Sequence, residues 1–77
     1  MYYRKHGVRM NEDELNLSVR KFLKKVGITS QREIEQTIRQ ALESGRLKEQ
    51  DTVRLSMTLH MDHRDSDVVI EGEINLQ

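Results

Sequence analysis

Near residue 51 the spacing of the apolar residues changes from a helical repeat to a strict alternation, and this change constrains the fold more than any other feature. Before it, two stretches carry apolar residues every three or four positions. After it, apolar and polar residues alternate over two short stretches that flank a cluster of turn residues. Helical segments followed by strands, rather than interleaved with them, predict an α+β fold.

The first helical stretch has clear start and stop signals. Asn11 is a good N-cap, and Glu14 lies three positions later, as in a capping box. Gly27 is placed to end the helix in the left-handed conformation. The apolar face between these signals consists of Leu15, Val19, Phe22, Leu23 and Val26. Leu17 lies off that face.

The same signals recur in the second helical stretch. Ser30 is the predicted cap, Glu33 the partner in its capping box and Gly45 the stop. Its apolar residues are Ile34, Ile38, Ala41 and Leu42. The sequence therefore predicts a second helix over about Gln31 to Ser44.

Two half-buried strands and a turn are predicted for the rest of the chain. The alternating apolar positions are Val53, Leu55, Met57, Leu59 and Met61 in the first strand and Val68, Ile70, Gly72, Ile74 and Leu76 in the second. The predicted antiparallel register pairs Met61 with Val68, Leu59 with Ile70, Met57 with Gly72 and Leu55 with Ile74. Gly72 would leave room for Met57 or Phe22, so Phe22 is predicted to be buried between the first helix and the hairpin.

A lone hairpin is marginal in water, so its apolar face is expected to pack on the helices. The predicted architecture is a two-layer ααββ unit, with two amphipathic helices packed on a C-terminal antiparallel β-hairpin. It forms a single domain over residues 10–77. Residues 1–9 show no apolar period and no cap, which predicts a disordered N-terminal tail.

Self-association is expected because the chain has little else to stabilise it. A chain of 77 residues buries a small core, and this one has no cysteine and hence no disulfide. A homodimer would cover an open strand edge or a second apolar surface. Edge pairing would give a four-stranded sheet, and helix pairing would use Leu17.

The formal net charge is zero, which gives no overall electrostatic reason to bind nucleic acid or an anionic membrane. No apolar stretch is long enough to span a bilayer, and the first residues lack the apolar segment of a signal peptide. A cytoplasmic protein without a membrane partner is expected.

A helix-turn-helix is the one nucleic-acid motif that the pattern around Gly27 suggests. Its candidate contacts are Arg32, Arg39 and the cluster Lys21, Lys24 and Lys25, with the hairpin as a wing. Against it, Glu33 and Gln36 occupy positions where a recognition helix needs apolar residues. The second predicted helix is also neutral, whereas DNA-binding helices depend on Arg and Lys contacts to phosphates.

Metal-capable side chains cluster only in the predicted turn, at His60, Asp62, His63, Asp65 and Asp67. Two histidines and a carboxylate could bind a divalent ion, but a polar turn whose aspartates accept backbone hydrogen bonds is the favoured interpretation. No nucleophile, base and orienting group are placed together by the sequence. The prediction is therefore no catalytic, cofactor-binding or metal-binding residue, and no enzyme.

Three segments carry a resemblance to a known family. They are MNED at Met10 to Asp13, RKFLKKVGITSQREIE at Arg20 to Glu35 and, more weakly, G-x-I-x-L at Gly72 to Leu76. The chain resembles a family of short, uncharacterised bacterial proteins, a domain of unknown function. The resemblance implies a small cytoplasmic bacterial protein and brings no activity, cofactor or catalytic residue.

Together these features predict a small, non-enzymatic protein-interaction module that self-associates and binds an unidentified protein partner. The alternative is a nucleic-acid-binding protein with a degenerate helix-turn-helix and a hairpin wing.

Overall fold

A computed structural model describes residues 9–77. The elements are α1 (Glu12–Glu43), β1 (Thr52–Leu59) and β2 (Val68–Asn75). The α+β class is confirmed, but the prediction of two helices is wrong, because a single helix of 32 residues covers both predicted segments. The order is αββ rather than ααββ. The predicted N-terminal tail lies, apart from Arg9, outside the described residues.

Helix α1 begins at the predicted N-cap, Asn11. The Glu14 backbone N–H donates to Oδ1 of Asn11 at 3.1 Å, and the Leu15 N–H donates to the Asn11 carbonyl at 2.9 Å. Glu12, Asp13 and Glu14 fill the first turn. Their negative charges suit the positive end of the helix dipole, and the cap satisfies the Glu14 N–H within three residues.

The predicted break at Gly27 is absent. Among residues 9–77 only Gly45 has a positive φ, so Gly27 keeps a right-handed helical backbone. Beyond it, Nε2 of Gln31 donates to Oε2 of Glu35 at 3.0 Å, a side-chain pair one helical turn apart. A helical glycine costs about 1 kcal/mol relative to alanine, whereas a break leaves up to four N–H and four carbonyl groups to satisfy anew. Continuing the helix through Gly27 therefore costs less free energy than ending it there and starting a second helix.

The predicted stop at Gly45 is confirmed. Gly45 has a φ of 81°, and its N–H donates to the Leu42 carbonyl at 3.2 Å. The Leu47 N–H then donates to the Ala41 carbonyl at 3.1 Å. These bonds satisfy carbonyls at the helix end in the manner of a glycine C-cap.

The hairpin pairs the predicted strands in a register that differs from the predicted one by two residues. Leu59 is opposite Val68, Met57 opposite Ile70, Leu55 opposite Gly72 and Val53 opposite Ile74. Because a shift of two residues preserves the face of every side chain, the predicted apolar face is retained. The connection is longer than expected and contains a turn in which the Arg64 N–H donates to the Met61 carbonyl at 3.2 Å.

Two compact units divide the chain, Met1–Thr37 and Ile38–Gln77. In the described part of the first unit, Val26, Ser30 and Ile34 are half-buried. The half-buried residues of the second are Ile38, Ala41, Leu42, Leu47, Val53, Leu55, Val68, Ile74 and Leu76. No residue from 9 to 77 is buried, so the predicted core is not formed there.

The predicted burial of Phe22 is wrong, because 57% of this residue is exposed. The predicted role of Gly72 as a gap for another side chain is wrong as well. Gly72 lies opposite Leu55, and a Cβ added to it would meet no atom within 4 Å. Over the described length of the chain, no helix is both long enough and apolar enough to cross a membrane.

Candidate interaction surface

Four apolar residues form a line along the first half of α1. We call Leu15, Val19, Phe22 and Val26 the N-terminal stripe; Leu23, the fifth residue of the predicted apolar face, is rotated by roughly 70° from it. Their spacing of four, three and four residues keeps them within about 60° of one another around a helix that turns 3.6 residues per turn. Leu15, Val19 and Phe22 are exposed, and Val26 is half-buried. The stripe therefore faces solvent over most of its length in the single chain.

The stripe ends after Val26. The positions that would continue it are Thr29 and Glu33, whereas the apolar residues of the second half begin at Ile34. At about 100° per residue, Ile34 is rotated by roughly 90° from the stripe, so it does not extend the stripe.

Charge is distributed unevenly along the same segment. Three acidic residues occupy the first turn, and four basic residues follow within the next three turns: Arg20, Lys21, Lys24 and Lys25. Glu14 and Lys25 are eleven residues apart, close to three full turns, so they lie on the same flank of the stripe. An acidic end and a basic middle are thus presented beside one apolar line.

The opposite side of this segment is mixed. Leu17 is 61% exposed, and Ile28 is also exposed on that side. Lys21 and Lys24 lie between them along the helix, on the same side. Burial of this surface against an apolar partner would remove the two ammonium groups from water, which is costly without paired charges.

The apolar face of the hairpin is exposed towards its turn. Val53, Leu55 and Ile74 are half-buried near the open end, whereas Met57, Leu59, Met61 and Ile70 are exposed. Ile70, opposite Met57, is 60% exposed. The sheet described contains only β1 and β2, so each strand has one edge without a strand partner in it. This face and these edges are a second candidate surface.

The turn places one of its metal-capable residues in an unexpected pair. Nδ1 of His60 lies 2.9 Å from Oδ1 of Asp67, and both side chains are largely exposed. The alternative of a metal site at His60, Asp62 and His63 finds no support, since residues 9–77 contain no group of three or more His, Asp or Glu arranged to hold an ion. In the observed register, His60 and Asp67 are the next opposed positions beyond Leu59 and Val68. The sequence interpretation missed this pair because the strand register that it predicted was two residues away from the observed one.

The helix-turn-helix interpretation is wrong. It needs a turn at Gly27, and α1 is helical from Glu12 to Glu43. Of its candidate contacts, the lysine cluster and Arg32 and Arg39 all lie on this one helix. They therefore cannot be divided between a supporting helix and a recognition helix.

The sequence interpretation placed the N-terminal stripe correctly on one face but assigned that face to a core. The spacing of four, three and four is equally typical of a helix that faces a core, so the sequence alone did not distinguish an interface from a core.

Comparison with known proteins identifies a family and no activity. A family model described as "Family of unknown function (DUF6494)" matches residues 10–77. No curated protein is significantly similar to the chain. No solved structure is significantly similar to it either.

Proposed function

The chain belongs to the DUF6494 family, a family of unknown function, and we propose that it is a small, non-enzymatic protein-interaction module that self-associates. The observation that carries the proposal is the exposure of its apolar residues. No residue from 9 to 77 is buried, and twelve large apolar residues there are exposed.

Local interactions alone give neither the helix nor the hairpin much stability. Fixing a backbone residue costs about 1–2 kcal/mol in conformational entropy, and burial of apolar surface is the main term that offsets this cost. A helix in water depends chiefly on the packing of its apolar face, and an isolated two-stranded hairpin is marginal. A second surface that covers these side chains would supply the missing burial.

The grouping of the exposed residues supports a specific interface. Apolar residues scattered singly over a surface are ordinary, but contiguous apolar patches mark interaction sites. Here Leu15, Val19 and Phe22 are aligned on α1, and Met57 and Ile70 are opposed on the hairpin. In the first group the side chains are three or four residues apart on one helix face, and in the second they are directly opposed across the two strands.

Sedimentation equilibrium of the full chain over a range from low to high micromolar concentration tests the proposal. The expected result is a species heavier than the 9.1 kDa monomer, with a melting temperature that rises with protein concentration. A single 9.1 kDa species with a concentration-independent melting temperature would contradict it.

Two matched variants identify the surface involved. Phe22→Ser changes the N-terminal stripe, and Ile70→Ser changes the hairpin face; both residues are exposed to a similar degree in the single chain. The variant that shifts the association equilibrium marks the interface, and the other serves as its control. If both variants associate like the unchanged chain, neither apolar surface carries the self-association proposed here.

A further inference from the structure

We infer that two copies of the chain pair antiparallel along the N-terminal stripe. The inference rests on the self-association proposed above and deepens it by naming the partner, a second copy, together with the surface and the orientation. The N-terminal stripe of one copy thus packs against the N-terminal stripe of the other.

The spacing of the stripe suits an antiparallel partner. Leu15 and Val26 are its ends, and Val19 and Phe22 lie between them at intervals of four, three and four. This order is unchanged when the helix is reversed. In one antiparallel register, the numbers of any two opposed residues add up to 41. Leu15 then lies opposite Val26 of the partner subunit, and Val19 lies opposite Phe22 of the partner subunit. Every member of the stripe then meets another member, as helix pairs require of their apolar seam.

Charge selects this orientation over the parallel one. In a parallel pair in register, the two-fold axis runs along the seam and puts this flank of the two copies on opposite sides of it, so Glu14 gains no contact with Lys25 of the partner subunit. In the antiparallel pair, Glu14 is about two residues, or about 3 Å along the axis, from the level of Lys25 of the partner subunit. Since Glu14 and Lys25 occupy the same flank, the two-fold axis generates this favourable contact twice.

Competing surfaces fit a second copy less well. The side of α1 that contains Leu17 carries Lys21 and Lys24 between its apolar residues, so self-pairing there would bring like charges together. On the hairpin, the apolar face is half-buried at Val53 and Leu55, and towards the turn Val68 is half-buried as well. The N-terminal stripe is the surface on which apolar match and charge agree.

Disulfide trapping tests both the surface and the orientation. The chain has no cysteine, so each introduced thiol is unique. Leu15→Cys and Val26→Cys are prepared separately, one of them ¹⁵N-labelled, mixed as full-length chains and oxidised with glutathione disulfide. Mass spectrometry then distinguishes the mixed disulfide from the two self-linked products.

The antiparallel pair predicts mostly the mixed disulfide. In that pair, Leu15 is about 16 Å along the axis from Leu15 of the partner subunit, which exceeds the Cα separation of about 4.4–6.8 Å that a disulfide spans. Self-linked products from each variant alone would overturn the orientation. If the unchanged chain sediments as a dimer and no disulfide forms, the stripe is not the interface, although self-association stands. A monomer at every concentration would overturn both.

A charge exchange provides a second test that leaves the apolar residues intact. Lys25→Glu should weaken the dimerisation constant by roughly tenfold, because two contacts become repulsive. Adding Glu14→Lys to the same chain should restore it. Lys24→Glu, which makes the same change in charge on the opposite side of the helix, is the control and should have a much smaller effect. Equal weakening by Lys24→Glu and Lys25→Glu, or no recovery in the double variant, would overturn the inference.

Discussion

Replacing Gly27 with alanine tests the continuity of α1, because the sign of the stability change differs between a continuous and a broken helix. The structure runs α1 through this position with a right-handed backbone. A Cβ added to Gly27 meets no atom within 4 Å. Alanine therefore enters without a clash and without a change in backbone conformation.

The expected magnitude follows from helix propensity alone. Alanine is more favourable than glycine in a helix interior by about 0.8–1.0 kcal/mol. Gly27→Ala should therefore raise the free energy of unfolding by about 1 kcal/mol, which corresponds to an increase in melting temperature of roughly 4–8 °C for a chain of this size. If Gly27 instead ended a helix in the left-handed conformation, alanine would cost about 1–2 kcal/mol.

Gly45→Ala is the matched control within the same chain. Gly45 has a φ of 81° and, like Gly27, has open space where a Cβ would lie. The two substitutions thus differ only in backbone conformation, and Gly45→Ala should lower the free energy of unfolding by about 1–2 kcal/mol. Urea denaturation followed by helical circular dichroism at one fixed protein concentration measures both. Destabilisation by Gly27→Ala comparable to that by Gly45→Ala would refute the continuous helix.

Three further substitutions test other parts of the structure. Asn11→Ala should lower the free energy of unfolding by about 1 kcal/mol, since it removes the acceptor of the Glu14 N–H; unchanged urea denaturation would contradict the cap. Phe22→Ala should abolish most of the concentration dependence of melting, and at a concentration where both chains are dissociated its helicity should equal that of the unchanged chain, because the side chain is exposed; lower helicity than the unchanged chain under these conditions would indicate a buried Phe22. Gly72→Ala should raise the free energy of unfolding by about 0.5–1 kcal/mol, since its Cβ has free space and strand glycines are unfavourable; a decrease measured in urea would show that the space is used.

The helix ends could be predicted from the sequence because caps are local. Asn11 and Glu14 are three residues apart, and their hydrogen bond forms wherever the helix starts. The left-handed Gly45 returns the chain to the Leu42 carbonyl over a similar distance. Such contacts need no third element, so a short pattern of residues is enough to indicate them.

The hairpin could be predicted only in part. Alternation assigns each side chain to a face, and the observed register retains those faces. Alternation alone does not determine the strand register, because a shift of the pairing by two residues leaves every side chain on the same face. Two more residues entered the connection than predicted, and His60 therefore came to lie opposite Asp67 rather than near Asp62 and His63.

By itself, the sequence determined the caps at Asn11 and Gly45, the switch from helix to strand and the side of each element that is apolar, because each depends on neighbours within a few residues. Only the three-dimensional structure decided that the chain passes through Gly27 as one helix, and that Phe22 lies exposed. A local pattern shows that a helix break or a buried face is possible. The free energy of that break or burial depends on whether another part of the chain packs against the helix. Here no residue from 9 to 77 is buried, so the burial that would favour a break is missing and backbone hydrogen bonding along α1 prevails.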